Sequence, residues 1–194
     1  MRKDRLPFQS VVFVTAVERK EWITLTVARA RVISFRLSMH PLIGLHAVLG
    51  ELGALAFLWV LVELLNPTES RVQRARIVAL IGTVMLIAAW IVGGYYYVTV
   101  YGVDVKPLIK EGPLPWAHSV ITETKEHVFL FLPFLAALTW GLIERYRGEL
   151  MTNKNLKIAI VLISALIVLM AFSMAGMGFI ISSGLRAALE AKMI

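Results

Sequence analysis

The chain has 194 residues, 58% of them hydrophobic, with a mean hydropathy of +0.75 and a formal charge of +7. Apolar runs of about twenty residues, the length that crosses a hydrocarbon core of roughly 30 Å, recur along it and exclude a soluble enzyme. The basic charge sits mostly beside those runs, where orientation and anionic lipid explain it better than nucleic acid. The lack of cysteine excludes disulfides, thiolate metal sites and a Cys nucleophile.

Residues 1–38 form a polar, basic extension carrying Arg2, Lys3, Arg5, Arg19, Lys20, Arg29, Arg31 and Arg36. The stretch around Glu18 to Glu21 is too polar for a span, and the apolar core and cleavage site of a signal peptide are missing. One reading starts the protein at Met39 and leaves the extension outside the native chain. The other makes it a peripheral arm with a β-like stretch at 22–27.

Residues 39–194 read as one domain, an all-α integral membrane four-helix bundle with spans at about 42–65, 77–100, 127–143 and 158–183. Continuous apolarity fits helices rather than barrel strands, which would alternate. The links between the first two and last two spans carry Arg71, Arg74, Arg76, Arg145, Arg147, Lys154 and Lys157. The positive-inside bias puts those links in the cytoplasm and the long connection at 101–126 outside, in a multi-pass protein of the cell membrane. The lipid bilayer is then the first partner, with a homo-oligomer or a larger membrane complex as a further expectation.

The first span contains His46 and, near its middle, Glu51. The third opens with Glu123, Glu126 and His127. Ionisable groups in hydrocarbon cost roughly 2.5–3.5 kcal/mol each on insertion scales, so a cluster of them points to a task. Counting inward puts Glu51 level with Trp90, Thr139 and Ser173 or Met174, whose polar groups could satisfy a neutral buried acid. Gly50 and Gly53 follow His46 at i+4 and i+7, leaving a flat face for a porphyrin or a neighbouring helix. Glu123 and His127 are four apart, which puts both on one helical face and suits metal ligation or a carboxylate that orients an imidazole. His118, after Pro113, Pro115 and Trp116, reads as a solvated loop residue. Met170, Met174 and Met177 form a thioether stripe that suits copper or an axial haem position, or plain packing. Tyr95, Tyr96, Tyr97 and Tyr101 read as an interfacial aromatic belt.

The opening Met39-His40-Pro41-Leu42-Ile43-Gly44-Leu45-His46 resembles the start of an uncharacterised family of four-helix predicted membrane proteins whose first span begins HPxxVHF. One extra residue separates the two histidines here, and Ala47 stands where that family has an aromatic. The family is similar in layout to small b-type cytochromes. The resemblance implies haem held between helices, with His40 and His46 at the motif positions.

The sequence thus points to haem b or a transition metal, for electron transfer or metal handling. His46 and His127, with Gly50 and Gly53, would hold haem; His46, Glu51, Glu123, Glu126 and His127 would hold an ion. The rival is a non-catalytic accessory subunit whose buried polar groups only lock helices together. A third reading, proton movement from Glu123 and His46 through Glu51, needs a path on toward Glu63. No P-loop, dinucleotide-binding glycine pattern or HExxH motif is present, and the sequence leaves open whether the protein is an enzyme.

Overall fold

The computed structural model describes residues 40–192, so the readings made for 1–38 lie outside the described residues. The described chain is helical and contains four helices long and apolar enough to cross a membrane.

α1 (Pro41–Leu65) starts where His40 Nδ1 accepts the amide of Leu42, with Pro41 in the first turn where its missing N–H is not needed. It stops at Asn66, because Pro67 disfavours a helical residue before it. Thr68 caps α2 (Glu69–Tyr96) through its hydroxyl. This three-residue link folds α1 and α2 into an antiparallel hairpin.

α2 does not end with its apolar run. It continues through a π-helical stretch (Tyr97–Val105) into α3 (Lys106–Glu111), a rod of 43 residues. Gly112, Pro113 and Pro115 turn the chain back. A second π-helical stretch (Ala117–Thr122) leads into α4 (Glu123–Phe129) and, after a break, α5 (Leu132–Tyr146). Pro133 accounts for that break, since proline cannot donate the helical hydrogen bond and crowds the preceding turn. Asn153 caps α6 (Lys154–Ala191), 38 residues long.

The expected loop at 101–126 is therefore a helical hairpin with a five-residue tip. At 1.5 Å per residue the second and fourth rods are roughly 65 and 57 Å long, well beyond a hydrocarbon core of about 30 Å. The surplus lies at one end, where 97–122 and the last turns of α6 form a cap around Tyr96, Tyr101, Val105, Ile109, Ala117, Leu185 and Leu189. Glu111 and Lys192 pair across it at 3.7 Å.

The main core, around Phe57, Val60, Leu64, Leu86, Ile143, Ile160 and Ile167, fills the rest of the bundle. Its outer faces expose Leu52, Leu55, Ile81, Val84, Leu162 and Leu169. At the end opposite the cap, Glu63 is buried beneath Arg71 and Arg74, each 2.8 Å away, and also accepts from Trp59. Arg76 pairs with Glu144. Glu63 is thus held between two guanidinium groups at the basic end of the bundle.

α1 and α2 approach closely where glycine permits it. A side chain on Gly82 would begin 2.9 Å from Ala56 and 3.0 Å from Phe57, and one on Gly53 would begin 2.7 Å from Leu86. Gly53 is therefore filled by a neighbouring helix and offers no porphyrin face. Gly82→Val should force the hairpin apart and cost about 1–3 kcal/mol, the usual penalty for overpacking. Unfolding of the detergent-solubilised protein, followed by circular dichroism, measures it.

Candidate functional site

α1, α2, α4 and the end of α6 enclose a cavity of about 830 Å³ beside the cap. Its position follows from the hairpin. His46 lies one and a half turns into α1, and its ring rests on Gly93, where a side chain would begin 2.5 Å from Nδ1. Nδ1 donates to the Ala89 carbonyl at 2.8 Å, which fixes both the ring and its tautomer. His127 enters from α4, at the exposed mouth, and its Nδ1 donates to the Glu123 carbonyl one turn back at 2.6 Å. Both imidazoles line the same cavity. A ring nitrogen bonded to a main-chain carbonyl is the arrangement that commonly orients a ligating histidine.

The other walls are Trp90, Tyr97, Gly94, Leu130, Gly178 and Ile181, among others, with Lys125, Glu126, Arg186 and Glu190 supplying charge. Sequence reasoning missed Gly93 and Gly94, although a glycine pair inside an apolar helix marks a close approach. It missed Lys125 and Arg186 as well, because nothing in the sequence brings the end of α6 to the start of the third span.

The remaining expected residues are elsewhere. Glu51 is exposed on the outer face of α1 and lines no part of the cavity. Two hydroxyls expected to satisfy it serve their own helices instead, Thr139 bonding the Leu135 carbonyl and Ser173 that of Leu169. Gly50 has open space beside it and is not a cavity wall. Glu123 turns away to His118, 3.5 Å from Nε2. Of the acids proposed as ion ligands, only Glu126 reaches the cavity. Among the described residues no three His, Asp or Glu side chains converge to hold a metal ion, and the five residues expected as ion ligands are not brought together. Met170, Met174 and Met177 do not line the cavity either.

His118 is not a solvated loop residue but is buried, at 2% exposure. The Thr122 hydroxyl donates to the Ala117 carbonyl, so the Tyr101 hydroxyl donates to Thr122 at 2.9 Å, and His118 Nδ1 donates to Tyr101 at 3.0 Å. This one-way chain ties the second π-helical stretch to the first through Tyr101. The tyrosines are likewise not a belt. Tyr95 is exposed, but Tyr96 and Tyr101 are buried and Tyr97 stacks on Tyr101 with centroids 5.3 Å apart. His40, besides capping α1, packs its ring on Tyr96.

No family model matches the chain, and no curated protein or solved structure is significantly similar to it.

Tyr101→Phe should strand the buried His118 donor and destabilise the cap by about 1–3 kcal/mol. Hydrogen exchange of the amides in 97–122 should rise, while those in 53–64 change little.

Proposed function

We propose that the chain is an integral membrane four-helix bundle that holds haem b in the cap-side cavity and passes single electrons. The observation that carries this reading is that His46 and His127, on separate elements, line one cavity with each Nδ1 tied to a main-chain carbonyl. The cavity volume falls within the range of small-molecule sites, roughly 300–1,000 Å³. Its walls are largely apolar or aromatic, with cationic groups at Lys125 and Arg186, a fit to a flat apolar macrocycle with two carboxylates. When bound, haem supplies an iron that cycles between ferric and ferrous states. The protein's part is to present two oriented imidazoles, exclude water with Ile181, Tyr96 and Tyr97, and fix the ring of His46 against Gly93.

The basic end, with Arg145, Arg147, Lys154 and Lys157 in addition to the paired arginines, fits the cytoplasmic side of a cell membrane, and the cavity then opens toward the exterior. Resemblance of the His40 to His46 opening to the HPxxVHF family supports the same reading. His40, however, serves as a cap here, and the second ligand is His127.

A second reading, a non-catalytic subunit of a membrane homo-oligomer, draws on Glu51. An acid about 15 Å along α1, facing outward, is costly against lipid and is satisfied by a packed partner helix. Native mass spectrometry of the purified protein tests it: an assembly that persists for wild type and falls to monomer in Glu51→Leu is expected, and a wild-type monomer rejects it.

For haem, protein purified from cells supplied with haem should show a Soret band with sharp reduced α and β bands. His46→Ala and His127→Ala should each lose them or convert them to a five-coordinate spectrum, and His40→Asn, which keeps a capping group, should retain them. Wild-type protein without haem, or with a spectrum indifferent to both histidines, rejects the reading.

A further inference from the structure

The cavity contains a charge that neither histidine uses. Lys125 is half-buried on the cavity wall. Its Nζ lies 3.6 Å from where a side chain on Gly178 would begin, so α6 leaves room for it. Among the described residues Lys125 makes no hydrogen bond or ion pair. It is nevertheless within electrostatic reach of His46. Arg186, two turns beyond Gly178, lines the same space. The two carboxylates there do not answer Lys125: Glu126 faces Tyr97, with its Oε1 buried and unpartnered, and Glu190 makes no ion pair among the described residues.

An ammonium facing a largely apolar cavity has given up water without gaining a counter-charge, and a bound anion recovers that loss. A free inorganic anion would leave most of the space unfilled. We infer that Lys125, assisted by Arg186, seats the acidic head group of an amphiphilic ligand whose apolar body lies between Ile43, Tyr97, Leu130 and Ile181. The shared chemistry is a carboxylate or phosphate on an apolar body, met by a haem propionate or by an acidic lipid head group. The inference deepens the haem reading, since haem brings two such carboxylates, but it does not depend on an iron to histidine bond.

Metal-free protoporphyrin IX and its dimethyl ester separate the two. Neither carries iron, and they differ only in the acid groups. Binding to the purified full-length chain in neutral detergent is read by porphyrin fluorescence anisotropy for wild type, Lys125→Met and Lys125→Arg. Wild type should prefer the free acid over the ester by roughly tenfold or more. Lys125→Met should lose most of that preference and Lys125→Arg should regain it. Competition then identifies the source: displacement by phosphatidic acid but not by phosphatidylcholine supports a lipid head group in the seat, and resistance to both supports the porphyrin acid. Equal binding of acid and ester by wild type, no binding of either, or an unchanged preference in Lys125→Met overturns the inference. Any of these results is independent of whether His46 and His127 ligate iron, which the optical spectra report.

Discussion

The contact between α1 and α2 determines where everything at the cap end lies. Three successive levels, Phe57 on Gly82, Gly53 on Leu86 and His46 on Gly93, keep one antiparallel register along the hairpin. Each level has a glycine on one side, so the backbones run close. Only such an approach lets the His46 ring reach the Ala89 carbonyl of the facing helix. A one-residue slip would rotate that ring away from the cavity and set its polar nitrogen against apolar neighbours. The short Asn66-Pro67-Thr68 link and the Glu63 to Arg71 and Arg74 pairs set the same register at the far end.

The cap depends on length. Apolar burial explains the packed middle of the bundle, but the helices outrun any hydrocarbon core, and the surplus must find its own partners. It does so through the small apolar cluster around Tyr101 and Ile109 and through the His118, Tyr101, Thr122 chain. Two π-helical stretches, Tyr97–Val105 and Ala117–Thr122, are joined here by the Tyr101 side chain. The Thr122 hydroxyl bonds the carbonyl five residues back, a contact that a π turn provides. The cavity lies where the packed middle meets the cap.

Much of this was legible in the sequence. Long apolar runs indicate helices, Asn66-Pro67-Thr68 marks a break with a cap after it, and His46 and His127, the two histidines the sequence singles out, line one cavity. What was not legible follows from physics that a run of residues does not carry. A helix apolar on every side gives no sign of which face is outward, so the sequence reads Glu51 as a buried acid while it stands exposed on the outer face. The polar residues between Tyr101 and Glu126 read as a loop because hydropathy reports the crossing of hydrocarbon and not the end of a helix. His118 read as solvated because its partners, Tyr101 and Thr122, are its neighbours only after the hairpin has closed. Lys125 gives no signal of its own in the sequence, because its place against Gly178 depends on where α6 ends.

The measurement that tests the account most directly is the proximity of positions 46 and 127 across the cavity in intact membranes. The sequence contains no cysteine, so a His46→Cys, His127→Cys double variant can be treated with thiol-bridging reagents of graded length. A Glu51→Cys, His127→Cys variant serves as the comparison. Efficient bridging within one chain by the shorter reagents for 46 with 127, and none for 51 with 127, is the predicted result. Failure of 46 and 127 to bridge at any length, or equal bridging from position 51, would contradict it.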